Sequence, residues 1–435
     1  MSDAGLGRGS ADGAGALSAD PSAYREARRE LLSRPVTARA PRRLALSSLT
    51  DAWLAEVFAS SGAADLGACL IAVGGYGRGS LTAGSDLDLL LVVPDRVDSA
   101  DPGVAAVVDR LWYPVWDTGV RVDHSVRTPA EVRRAATRDV RVILGLLDAR
   151  PIAGEGALGE QVASSILADW RALARTRLGE VRASVVERRA RHGDAAHLLE
   201  PDLKESYGGL RDAGILDAVA ASWVTDVPRE GLADVRELLL DVRDALHDCA
   251  LSEDRRPSDI LRTQDQDDVA HRLGLGGRDA LLRDLGEAAR AIAYASDTMW
   301  HRVSRLERGR FDRQVRRRLR RPGPERVPLG EGVVVHDGEV ALAADARPDR
   351  DPVLVLRVAA AAAQAGLPLA PGAVARLARE SAPLPAPWPA EARDALVSLL
   401  GSGPGLVPVW EALDQQGLIV RLFPEWAAVR SAPQG

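Results

Sequence analysis

The stretch GGYGRGSLTAGSDLDLLLVV, Gly74 to Val93, constrains the fold more than any other segment of the chain. Side chains alternate along a strand, so Asp86 and Asp88 share one face while Leu87 and Leu89 turn to the other. Two carboxylates held that close repel each other, and burying them is costly unless a cation neutralises them. Mg2+ suits the task, because it takes hard oxygen ligands and bridges carboxylates to substrate phosphates. The glycines agree with this: Gly74, Gly75, Gly77 and Gly79 allow backbone amides to approach a phosphate closely.

The flanking residues supply the rest of a mixed α/β unit. Ala68 to Val73 reads as a strand before the turn, and Leu87 to Val93 as a second strand after it. A helix is expected near Val104 to Trp116, then a third strand over Val120 to Arg127. In that strand Val120, Val122 and Val126 point one way, and Arg121, Asp123, Ser125 and Arg127 the other. Asp123 is therefore the candidate third carboxylate of a two-metal site, in which metals hold the attacking and leaving oxygens of a phosphoryl or nucleotidyl transfer. Thr128-Pro129-Ala130-Glu131 reads as a capping box with proline at the first helical position, opening a helix to about Arg150.

Residues 1–22 are rich in Gly, Ala, Ser and Asp and read as a flexible tail. Helical spacing from Ala23 to about Ser60 leads into the first strand, so the α/β domain is expected over residues 23–150. After Pro151 the strand signal gives way to helical periodicity, which places a mostly α-helical domain at 151–321. A β-hairpin is expected over Pro322 to Leu342, and helices with proline breaks fill the remainder of 322–435.

A chain of 435 residues has room for two or three domains. Its net charge of -6 does not suggest a nucleic-acid binder. No apolar run approaches the roughly 20 residues needed to span a bilayer, and the expected compartment is the cytoplasm. Cys69 and Cys249 lack the spacing of a disulfide framework or a zinc site and are expected to be buried. The arginine-rich run Arg302 to Arg321 is expected to be a solvated helix face. Lys204 is the single lysine among 56 basic residues, which hints that a compact ammonium is wanted there, against a phosphate.

Three segments in order, GGYGRGSLTAGSDLDLLLV, DHSVRT (Asp123 to Thr128) and EPDLKESYGGLRD (Glu200 to Asp212), resemble the PII uridylyltransferases, within the polymerase-beta-type nucleotidyltransferase superfamily. The similarity runs from about Ala40 to Arg430. It implies a small mixed polymerase-beta-like sheet followed by a helical domain, with Mg2+ as cofactor. The implied reaction moves UMP from UTP, or AMP from ATP, to a tyrosine of the signalling protein PII; nothing in the sequence reads the base. Carried over residue by residue, the resemblance assigns Asp86 and Asp88 to the metal and sets Gly74, Gly75 and Ser85 near the triphosphate. Arg78 suits a phosphate by its forked geometry. Many relatives carry Gly where this chain has Asp123, and Glu where it has Arg121; positions 121 and 123 share a face, so a carboxylate can serve from either. A non-catalytic nucleotide- or PII-binding module, and a nucleotidyltransferase for another acceptor, are the alternatives.

The same resemblance implies HD-type hydrolase and ACT sensor domains elsewhere in such enzymes. Gly435 falls about where the HD domain would begin, so hydrolase activity is not expected here. The dipeptides His247-Asp248 and His336-Asp337 read as structural rather than as parts of an HD metal site.

Overall fold

The computed structural model describes residues 18–36, 38–97, 101–229, 231–319 and 326–432, with side chains described throughout except at 307–319. Most of the expected tail lies outside these residues. Helix α1 (Pro21–Ser33) nevertheless begins inside it, because the Asp20 carboxylate accepts the Ser22 N–H at 2.8 Å and Pro21 occupies the first turn. In α2 (Arg39–Ser61), Trp53, Leu54, Val57 and Phe58 form a buried stripe, and Tyr24 of α1 stacks on Trp53 at 4.3 Å.

The sheet has four strands, β1 (Cys69–Ala72), β2 (Leu87–Val92), β3 (Val122–Arg127) and β4 (Arg150–Gly154), in the order β3-β2-β1-β4. Strand β1 is antiparallel to both its neighbours, whereas β2 and β3 run parallel. A single helical turn, α3 (Gly74–Gly77), joins β1 to the loop before β2, and α4 (Pro102–Asp117) lies between β2 and β3.

The capping box forms as expected, with Thr128 and Glu131 reciprocally bonded. The helix it opens does not reach Arg150. Asp139 ends α5 (Pro129–Arg138) and its carboxylate caps α6 (Val140–Leu146), accepting the Arg141 N–H at 2.8 Å. The residues that follow turn back as β4, which satisfies the second edge of β1. Strand structure therefore extends past Pro151, and the division at residue 150 falls on a strand.

Each face of the sheet has its own core. Leu87, Leu89 and Leu91 pack with Leu70 against α1, α2 and α4, each burial contributing about 1.5–3 kcal/mol. Cys69, Ile71, Leu90 and Val92 face the other way, into a core shared with α7 (Gly156–His192), α8 (Leu210–Ala221), α9 (Leu232–Ser252), α10 (Thr263–Arg272) and α11 (Arg278–Leu319). The α/β and helical parts are thus joined by continuous apolar packing. A buried ion cluster reinforces the junction: Arg39 and Arg42 of α2 meet Asp244 and Asp248 of α9 at 2.7–3.1 Å.

Beyond α11 the expected hairpin is a three-stranded sheet, β5 (Val327–Gly330), β6 (Val333–His336) and β7 (Glu339–Leu342). It packs on α12 (Leu354–Ala365) and α13 (Pro371–Glu380), and α12 in turn packs on α14 (Ala390–Leu400) and α15 (Leu406–Asp414). In the described part of the arginine run Arg305 pairs with Asp337 at 3.1 Å and Glu339 at 2.7 Å, and Arg302 with Asp226 at 3.6 Å; the rest of the run, expected as a solvated face, lies outside the described side chains. Both cysteines are buried, and burial pushes the Cys69 thiol up to about 11. No single helix among the described residues is long and apolar enough to cross a membrane.

Candidate active site

The glycine turn is pressed against the carboxylate strand. Val73 donates its N–H to the Asp88 carbonyl at 3.1 Å, and the chain then turns through Gly74 at φ +57°. A Cβ at Gly74 would sit 3.1 Å from Asp88 Oδ2, so glycine meets both the left-handed backbone and the close approach. The turn is anchored from behind, where Asp51 accepts the Tyr76 hydroxyl at 2.6 Å and pairs with Arg150 at 2.8 Å.

Asp86 lies one residue before β2, and Asp88 lies within it. Asp88 is in register with Asp123 on the parallel strand β3, so the two carboxylates stand side by side on the face turned away from Leu87 and Leu89. Burial pushes the Asp88 carboxyl above the ordinary carboxylate range; the Lys204 ammonium opposes this, and Asp123 and Asp86 add to it. The Lys204 charge is the strongest acting on Asp88, ahead of Arg78. The charge of a lysine 116 positions downstream thus reaches Asp88.

Arg121 stands beside Asp86, with Nε 2.5 Å from its Oδ1. The alternative carboxylate position that the resemblance implied is thus filled here by a cation paired with Asp86. Among the described residues, no three His, Cys, Asp or Glu side chains converge closely enough to hold a metal by themselves. The donor chemistry nevertheless fits Mg2+, which typically takes one or two protein carboxylates and completes its shell with waters and substrate phosphates. Asp86, Asp88 and Asp123 are hard oxygen donors, and a divalent cation would offset the cost of burying the Asp88 carboxylate.

Arg78 projects from the turn, exposed, and pairs with Asp148. Ser85 is held within its own loop: its Oγ accepts the Thr82 N–H at 3.0 Å and lies 3.3 Å from the Arg243 guanidinium. Gly75 is half-buried, its carbonyl accepting the Ser80 hydroxyl at 2.8 Å.

The EPDLKESYGGLRD element is ordered by contacts within itself and with neighbouring parts of the helical domain. Asp202 accepts the Lys204 and Glu205 N–H groups at 2.9 and 2.8 Å, and Gly209 precedes α8. Asp212 accepts the Gly208 N–H at 2.8 Å and forms a buried pair with Arg188. These contacts hold Lys204 in place without engaging the other residues in the site.

The two His-Asp dipeptides form no metal cluster among the described residues. Asp248 belongs to the α2–α9 ion cluster, and His336-Asp337 lies at the β6–β7 turn. His247 is different: its imidazole reaches the loop before Asp86, with Nδ1 2.8 Å from Thr82 Oγ1 and 3.2 Å from the Gly84 nitrogen. Sequence reasoning missed this contact. The available signal was Arg243 and His247 four residues apart, and so on one face of α9.

Comparisons with known proteins bear on the family of the chain. A family model described as GlnD PII-uridylyltransferase matches residues 177–300, and one described as a nucleotidyltransferase domain matches residues 54–144. A bifunctional uridylyltransferase/uridylyl-removing enzyme of Streptomyces coelicolor is 55% identical over 423 residues, covering 95% of this chain and 50% of the relative. Enzymes of the same name from Mycobacterium tuberculosis and Corynebacterium glutamicum are 41% and 37% identical, over 88% and 84% of this chain and 47% and 50% of theirs. The chain spans about half the length of the curated relatives it matches.

Proposed function

This chain belongs to the PII-uridylyltransferase family, and we propose that it transfers a nucleoside monophosphate, UMP from UTP or AMP from ATP, to a tyrosine hydroxyl of a PII signalling protein. The observation that most supports this reading is the placement of Asp88, in register with Asp123 and beside the Gly74 turn, under the field of a lysine from the helical domain.

In this reading Asp86 and Asp88, with Asp123, hold Mg2+ ions. When bound, these would neutralise the carboxylates and stabilise charge on the attacking and leaving oxygens. The Gly74 and Gly75 backbone, with Ser85 and Arg78, lies along the triphosphate. Lys204 faces the same anionic charge from the opposite wall. The tyrosine oxygen attacks the α-phosphorus in line; the new O–P bond forms as the bond to the bridging oxygen breaks, and pyrophosphate leaves. The hydroxyl proton passes to Asp123.

The test incubates the chain with PII, Mg2+ and UTP or ATP labelled at the α-phosphate. Label on PII from one nucleotide is the expected result and names the donor. Label from neither, with both proteins folded, contradicts the reading.

A further inference from the structure

Asp259 lies in the segment between α9 and α10, and it contacts both the segment bearing Lys204 and the helix that reaches the loop before Asp86. On one side its main-chain carbonyl accepts the Leu203 N–H at 2.8 Å, immediately before Lys204. The pairing continues on either side, with Ile260 bridged to Asp202 and the Leu261 N–H donated to the Pro201 carbonyl at 2.9 Å. On the other side its carboxylate takes a fork of two hydrogen bonds from Arg243, at 2.7 and 3.4 Å, and one from His247 Nε2 at 3.0 Å.

The direction of each bond follows from a single fixed donor. The Gly84 N–H can only donate, so His247 Nδ1 is an acceptor and the ring proton sits on Nε2, where it is given to Asp259. The Thr82 hydroxyl then shares Nδ1 as a second donor, and the Ser85 hydroxyl donates to Thr82 Oγ1 at 2.9 Å. Ser85 Oγ in turn accepts from the Thr82 N–H and from Arg243. Thr82 and His247 are each 1% exposed, so water does not compete for these bonds. The polar atoms that carry the chain are accounted for, and the next residue after Ser85 is Asp86.

We infer that Asp259 is a positioning residue aligning the two walls of the site: its backbone fixes the strand-like segment bearing Lys204, and its carboxylate, through Arg243 and His247, fixes the Thr82–Ser85 turn that leads into Asp86. Its effect on transfer rests on the nucleotidyltransferase reading, whereas the alignment itself does not.

Two measurements test this on the full chain. In the first, kcat and KM for nucleotide and for PII are compared in Thr82→Val, Thr82→Ser and Asp259→Asn. Thr82→Val and Asp259→Asn are expected to lower kcat/KM for nucleotide about tenfold or more, because small misplacements of reacting groups are costly, while KM for PII is unchanged. Thr82→Ser restores the hydroxyl and stays within about twofold of the parent. In the second, hydrogen exchange is followed in peptides covering Ser80–Asp88 and Asp202–Ser206. Asp259→Asn is expected to speed exchange in both segments, and Thr82→Val in the first only, under conditions where both variants remain folded. Parent-like kinetics in both Thr82→Val and Asp259→Asn, or unchanged exchange in both segments, would overturn the inference. If the parent chain itself transfers nothing, the functional reading fails, and the exchange experiment still decides the alignment.

Discussion

Gly75→Ala separates a glycine kept for a ligand from one kept for the fold. A Cβ at Gly75 would meet nothing nearer than Ser80 Oγ at 3.9 Å and Arg78 Nη2 at 4.0 Å, both ordinary contacts. In the helical turn alanine gains up to about 1 kcal/mol over glycine, so the unfolding temperature should hold or rise by a few degrees. At Gly77, by contrast, a Cβ would lie 2.0 Å from the Asp148 carbonyl oxygen and 3.0 Å from that of Ala72, both backbone atoms that cannot swing aside. Gly77→Ala should therefore destabilise the domain outright. If the Gly75 backbone approaches the triphosphate, the added methyl costs one charge-assisted hydrogen bond. That is about 1.5–3 kcal/mol, or roughly 10- to 150-fold in kcat/KM for nucleotide. Thermal unfolding alongside steady-state kinetics reads both quantities. A stable Gly75→Ala protein with parental kcat/KM refutes the close approach, and one as unstable as Gly77→Ala refutes the packing argument.

Burial holds His247 below its ordinary value of 6.5, so the folded protein carries it neutral while the unfolded chain takes up a proton as pH falls. Its stabilising contribution is complete above 6.5 and is lost as pH falls from there through the folded-state value; denaturant unfolding at pH 7.5 and 5.5 should show a drop that is smaller in His247→Gln. Arg121→Ala frees Asp86 from a half-exposed ion pair and should lower the Mg2+ concentration for half-maximal transfer by up to about fivefold, read from a metal titration. Arg188→Ala strands the buried Asp212 carboxylate and should cost about 3–5 kcal/mol in denaturant unfolding, while Arg191→Ala, from an exposed pair, changes little.

The elements that carry the site were legible because they obey strong local rules. Leu87 and Leu89 flank carboxylates at period two, Thr128 and Glu131 spell a capping box, and Lys204 stands out against a background of arginine. The elements that escaped depend on distant partners. Strand β4 contains Pro151 and Gly154 with only Ile152 between them as a large apolar residue, and it is a strand because β1 needs pairing on its second edge. Asp139 looks like one more polar residue within a helix until its carboxylate is seen capping the next. Strand β5 is exposed along its length and contains Pro328, so nothing in its pattern marks it. The reach of His247 to Thr82 spans 165 residues, and the spacing of Arg243 and His247 on one helix face does not name the partner.

The account turns on the carboxylates of β2. The most direct measurement compares transfer of labelled nucleotide to PII by the parent chain, Asp86→Ala and Asp88→Ala, at matched and verified folding. Loss of label in both variants, with unfolding temperatures at or near that of the parent, is the predicted result. Substantial transfer by either folded variant would contradict the central claim that these two side chains carry the chemistry.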